Sequence, residues 1–246
     1  MNSPIVDMHK DRPFSRTVEA GRGLAWLQQG WTFFLRNPGT WIAIAVLLMV
    51  IYGLLSLVPV LGQIAGHLLA PLFAAGLLLG CRSLDNGGGI KVDHLFIGFR
   101  QNSGNLILVG IFYLVGVAAA FAIALVVGGG LAVGGGLLGM GHGGMMAAGM
   151  FTGALFFMLT FVVLSIPLLM AFWFAPALVL FKDTAPLPAM LASFRACLKN
   201  TLPFLVYGVF GCVLMVLAAI PVGLGFFVLI PVLIGSFYWS YVDIFE

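Results

Sequence analysis

Ionisable side chains are scarce in this sequence: Asp, Glu, Lys and Arg together make up 8% of 246 residues, against 62% hydrophobic residues. Soluble domains carry about a quarter charged residues, so an ordinary water-exposed globular domain is excluded. Three long stretches, between Arg36 and Arg82, Arg100 and Lys182, and Lys199 and Asp243, contain no Asp, Glu, Lys or Arg. Each exceeds the roughly 20 residues of one bilayer crossing, and with a mean hydropathy of +1.15 the chain belongs in lipid. Cysteine is also rare. Cys81, Cys197 and Cys212 form no CxxC pair, and their odd number leaves no complete disulfide framework, so they are expected to be reduced and structural. The net charge of +3 is spread over short segments without a basic stripe interleaved with aromatics, which excludes nucleic-acid binding. Ser-His-Asp, HExxH, Walker-type and paired-carboxylate arrangements are not recognisable, and the chain is expected not to be an enzyme and to need no cofactor.

Apolar segments of span length fill the uncharged stretches. Trp41 to Val58 is followed by turn residues Pro59-Val60-Leu61-Gly62-Gln63, and Ile64 to Gly80 runs back. Leu202 to Ile220 and Leu224 to Tyr241 flank a similar break at Pro221-Val222-Gly223, and Leu106 to Val127 and Phe151 to Leu180 flank a glycine-rich insert. The fold class predicted is all-α: a polytopic membrane bundle of six transmembrane helices built from three helical hairpins. An even number of crossings in each block keeps every Lys and Arg on one side, which the positive-inside rule makes cytoplasmic, together with both termini. Residues 1–13, polar and containing Pro4 and Pro13, are expected to form a disordered tail. Residues 14–246 form a single membrane domain, with hairpins at about 37–81, 105–181 and 200–242 and the Gly-rich insert over 128–149. The polar start has no apolar core or small-residue cleavage site, so the first span reads as an uncleaved anchor.

The entries into the three hairpins are alike: Gly30-Trp31 before Asn37, Gly98-Phe99 before Asn105, and Ser193-Phe194 before Asn200. Each return span holds a proline (Pro71, Pro167, Pro231) and is followed by or ends in an aspartate (Asp85, Asp183, Asp243). The segments before the hairpins read as interfacial amphipathic helices. In the first, Leu24, Leu27, Trp31 and Phe34 share an apolar face; in the third, Leu187, Met190, Leu191, Phe194 and Leu198 do so, beside the i,i+4 basic pair Arg195 and Lys199. Arg22, Arg36, Arg100, Arg195 and Lys199 are therefore candidate contacts for anionic lipid headgroups. The simpler reading is that these helices only lead the chain into the bilayer. Ala189 to Phe204, reading Ala-Met-Leu-Ala-Ser-Phe-Arg-Ala-Cys-Leu-Lys-Asn-Thr-Leu-Pro-Phe, resembles the hairpin entries of uncharacterised six-span bacterial inner-membrane proteins. More loosely it is similar to the membrane domains attached to some glycerophosphodiester phosphodiesterases. The resemblance covers roughly Gly30 to Asp243 and implies inner-membrane localisation and architecture, with no enzymatic activity to inherit.

Two places carry candidate chemistry. Half of the residues in the 128–149 insert are glycine, and Met140, His142, Met145 and Met146 lie within it. Thioethers and imidazole are ligands for soft metals such as Cu(I), although glycine disfavours a preorganised site and methionine is a common apolar filler. The insert is otherwise expected to be a mobile or re-entrant segment. His67 is an ionisable residue early in the second span; it is either an intramembrane polar site or a helix-to-helix hydrogen-bond partner. Gly62/Gly66, Gly76/Gly80 and Gly149/Gly153 have the spacing that allows close helix packing. Two functions fit: a non-catalytic, lipid-interacting or accessory scaffold component of the envelope, or a small-solute or metal permease. The partners expected are membrane lipids and a membrane-protein partner or second copy of the chain.

Overall fold

The computed structural model describes residues 15–138 and 143–246, with side chains over 15–135 and 147–246. The chain is an all-α bundle. Among the described residues, six helices are long and apolar enough to cross a membrane, as the spacing of uncharged stretches predicts. The helices are α1 (Arg22–Arg36), α2 (Pro38–Ser56), α3 (Leu61–Asp85), α4 (Ser103–Leu138), α5 (Gly143–Trp173), α6 (Ala175–Phe181), α7 (Pro186–Lys199), α8 (Thr201–Ala219) and α9 (Phe226–Phe245), with a 3₁₀ helix at Val92–Phe99 before α4. Helix is the required form, because lipid offers no hydrogen bonds to an open backbone. Pro38 begins α2 at a first-turn position whose missing N–H would have had no helical partner anyway.

The glycine-rich insert departs from expectation. Its described residues are helical where a loop or re-entrant segment was expected: 128–138 continue α4 and 143–149 open α5, while 139–142 lie outside the described residues. At 36 residues, α4 is about 54 Å long, nearly twice the roughly 28 Å of α2. Gly128 and Gly135 serve contact between helices, whereas Gly129, Gly130 and Gly134 face open space. A Cβ on Gly128 would lie 2.5 Å from the Gly153 carbonyl oxygen, and one on Gly135 2.6 Å from Gly149 Cα. Small residues thus let the α4 and α5 backbones meet, making this the most extensive helix pair in the molecule. A propensity argument for a flexible loop fails here because close packing and the demand for internal hydrogen bonds outweigh glycine's conformational entropy.

Each short helix docks on the hairpin that precedes the one it leads into. The 3₁₀ helix packs on α3 of the first hairpin, α7 on α5 of the second, and α1 closes the cycle by packing on α9 and α8 of the third. The docking point is the small residue of each entry. A Cβ on Gly30 would strike the Val232 carbonyl, and one on Gly98 the Leu72 carbonyl. Ser193 keeps its side chain and uses it: the hydroxyl donates to Met170 O at 2.6 Å and accepts from Phe174 N at 2.8 Å. Those two backbone groups are an i, i+4 pair, and the inserted hydroxyl marks the break between α5 and α6.

The docked faces differ from the apolar stripes expected. In α1, Trp26, Leu27, Gly30, Phe33 and Phe34 are buried, whereas Leu24, Trp31 and Leu35 are exposed. In α7 the buried face is Ala189, Met190, Ser193, Ala196 and Cys197, and the large residues Leu187, Leu191 and Leu198 face outward. In α7 small residues line most of the dock and leave the bulky leucines on the far side, whereas α1 docks through Gly30 with Trp26 and Phe33 buried beside it.

Candidate functional site

The charged groups converge on one end of the bundle, where the return helices finish. Asp243 of α9 accepts from Arg22 Nε at 2.7 Å and Nη2 at 2.5 Å, and from Trp26 Nε1 at 2.6 Å, tying α1 to the end of the third hairpin. Asp85 accepts from the Tyr238 hydroxyl at 2.9 Å and Asp183 from Asn102 Nδ2 at 2.7 Å. Both donors are neutral. Arg82 pairs with Glu246 at 2.6 Å and lies 4.3 Å from the Phe181 ring centroid, and Lys182 Nζ donates to Phe245 O at 2.7 Å. A segment before α1 straps this end. Val18 N donates to Asn200 Oδ1 at 2.8 Å, Asn200 Nδ2 donates to Arg16 O at 2.9 Å, and Arg16 N donates to Ile244 O at 2.8 Å. Asn200 is fully buried with both ends of its amide bonded, a role that its recurrence in the hairpin entries does not reveal.

The five candidate headgroup residues divide into two groups. Arg22 is committed to Asp243, and Arg36 donates to Leu84 O at 2.9 Å. Arg100 and Arg195 are exposed, with no intramolecular partner among the described residues, and Lys199 is exposed with only a 3.4 Å contact to Ser15 Oγ. Arg195 and Lys199 stand on the outward side of α7 among Leu187, Leu191 and Leu198, and Arg100 ends a 3₁₀ helix that exposes Val92, Phe96 and Phe99. On the inward side of α7, Cys197 is buried against Met170 O, and burial pushes its thiol up to about 12 against a smaller opposing effect of the Ser193 hydroxyl. It is an inert packing group.

Met140 and His142 lie outside the described residues, and Met145 and Met146 fall in the first turn of α5 without described side chains. Among the described residues, no group of three or more His, Cys, Asp or Glu comes together. His67 lies in the span part of α3. Its Nδ1 is 2.8 Å from Gln63 O, and its ring stacks on Tyr113 of α4 at 5.9 Å. The ring lines a cleft of about 300 Å³ between α2 and α3. A second cleft, about 600 Å³, opens between α1 and the poorly joined α8 and α9, with Leu27, Trp31, Leu217 and Val228 among its walls.

A probable inner membrane protein of Burkholderia thailandensis is 31% identical to this chain over 205 residues, covering 78% of the chain and 72% of the relative. No described family profile matches the chain. No solved structure matches it.

Proposed function

The chain belongs to the family of that Burkholderia thailandensis protein, and from this premise we propose that it is a non-catalytic component of the bacterial inner membrane that gathers anionic lipid. The observation carrying the reading is the outward side of α7, where exposed Leu187, Leu191 and Leu198 flank Arg195 and Lys199. Apolar side chains at that position favour the acyl boundary, and the two bases, one helical turn apart, favour phosphate. The 3₁₀ helix repeats the arrangement with Val92, Phe96, Phe99 and Arg100. The charged end faces the cytoplasm, because all eleven Lys and Arg residues fall at the tail or in segments that join the uncharged stretches at this end. A structural role for the acidic groups agrees with Asp85, Asp183 and Asp243 each being held by a donor from elsewhere in the fold.

The test is lipid retention. Full-length protein in nanodiscs of phosphatidylcholine containing phosphatidylglycerol is extracted gently and weighed by native mass spectrometry. Each base is worth about 1 kcal/mol at an anionic surface, or about fivefold. Arg195→Gln with Lys199→Gln is therefore expected to cut retained phosphatidylglycerol by an order of magnitude. Retention equal to that of the unaltered protein would sink the proposal.

A further inference from the structure

We infer that the second hairpin, α4 with α5, is sheathed in acyl chains along its whole length and gathers long-chain phospholipid, thickening the bilayer on its side of the molecule. The selection is by chain length and is independent of headgroup charge. It follows first from how far this hairpin outreaches the other two. A Cβ on Gly110 of α4 would lie 3.1 Å from the His67 carbonyl oxygen, so the two residues mark one level in α4 and α3. From that level α3 extends about 9 Å to its start at Leu61, whereas α4 runs on for about 42 Å to Leu138. The third hairpin agrees. The Trp173 ring of α5 lies 5.8 Å from Phe204 and 6.1 Å from Tyr207 of α8. From Tyr207, α8 continues about 18 Å to Ala219, against about 45 Å of α5 from Trp173 back to Gly143.

The surface of the projecting part says what surrounds it. Over residues 121–135 and 147–160 the buried positions are Ala124, Gly128, Gly149 and Gly153. The glycines among them form the seam between the two helices, where Gly128 meets Gly153 and Gly149 meets Gly135. Away from the seam both helices are apolar all round. Ile123, Leu125 and Val126 point in three directions around α4 and are exposed, as do Phe151, Phe156 and Leu159 around α5. Thr152 and Thr160 are the only polar residues in these stretches. A partner protein covers one side of a hairpin and leaves polar residues on the other, whereas a helix apolar on every side is one that hydrocarbon surrounds. The bilayer then has to match it. From Leu106 to Leu138, α4 offers about 50 Å of apolar helix to a hydrocarbon core about 30 Å thick. Tilting by about 40°, the upper end of the usual range, still leaves about 38 Å to be covered. α2 and α8, at about 28 Å each, fit ordinary thickness upright. Thickening around an overlong segment is least unfavourable where acyl chains are already long, so long-chain lipid collects on that side.

Full-length protein is placed in nanodiscs of equal parts dioleoyl- and dierucoyl-phosphatidylcholine, and the lipid that stays bound through gentle extraction is weighed by native mass spectrometry. The long-chain dierucoyl lipid is expected to be enriched about threefold or more over the bulk. Removing two turns from each helix, residues 129–135 and 149–155, should return the bound lipid to the bulk ratio. A second readout keeps the hairpin at full length and stands even if the shortened chain does not fold. An environment-sensitive dye on Val133→Cys, in a background lacking native cysteines, should be quenched by brominated lipid and shielded from iodide, while the same dye on Val222→Cys is open to iodide. Lipid bound to the full-length chain at the bulk ratio overturns the inference. So does a Val133→Cys dye that iodide reaches, which puts the outer part of the hairpin in water, or one shielded from iodide and lipid alike, which gives it a protein cover.

Discussion

Gly30 shows how little of a side chain decides the packing here. It stands where α1 meets α9, with the Val232 carbonyl and the Ser236 amide against its Cα, and Gly235 of α9 approaches from the other helix. Any larger residue must push the backbones apart, and overpacking of this kind costs about 1–3 kcal/mol. Gly39, at the start of α2, has nothing near its Cα. Gly30→Leu is therefore expected to lower the thermal midpoint in detergent by several degrees, and Gly39→Leu to change stability by no more than about 0.5 kcal/mol, with little shift in the midpoint. Equal midpoints for the two variants would contradict the close α1–α9 crossing. Glycine at position 30 is visible in the sequence as part of a recurring entry, but its partner is two hundred residues away, and nothing local names it.

At the scale of the element, the three docking helices achieve the same contact in two ways. Gly30 and Gly98 bring backbone to backbone, whereas Ser193 inserts a hydroxyl into the ladder of the return helix. Ser193→Ala would leave Phe174 N unpaired in a buried setting and Met170 O with only the weak Cys197 thiol contact, a loss of about 1–3 kcal/mol. The expected result is a lower thermal midpoint, together with faster amide exchange at Phe174. If exchange there is unaltered, the hydroxyl is not what holds the break. Periodicity places α1 and α7 as helices ahead of their spans, yet the face that docks was not legible. Hydropathy ranks Leu and Trp above Gly, Ser and Ala, and in contacts between backbones the order is reversed. The same bias hides the α4–α5 contact, where glycine reads as a loop.

For the whole molecule, the docking cycle joins the first helix to the last hairpin, with Arg22 and Trp26 on Asp243 as its polar seal. Every described ion pair is at that one end, while the described turns at the opposite end, residues 57–60 and 220–225, are apolar, with Val222 97% exposed. If the charged end is cytoplasmic, an impermeant maleimide added to intact spheroplasts should label Val222→Cys and spare Gly89→Cys in a background lacking native cysteines. Permeabilisation should then expose Gly89→Cys. The reverse pattern would invert the orientation.

The number of spans and the gathering of charge at one end were determined by the sequence alone. These properties follow from hydropathy and charge read along a line, and the bilayer enforces them on each segment separately. Tertiary structure decided which short helix docks on which hairpin, that residues 128–138 and 143–149 are helical, and that His67 shares a cleft with Tyr52 and Ser56. Each of these depends on how closely two distant backbones approach. That distance is set by small residues on both partners at once, so neither segment encodes it by itself.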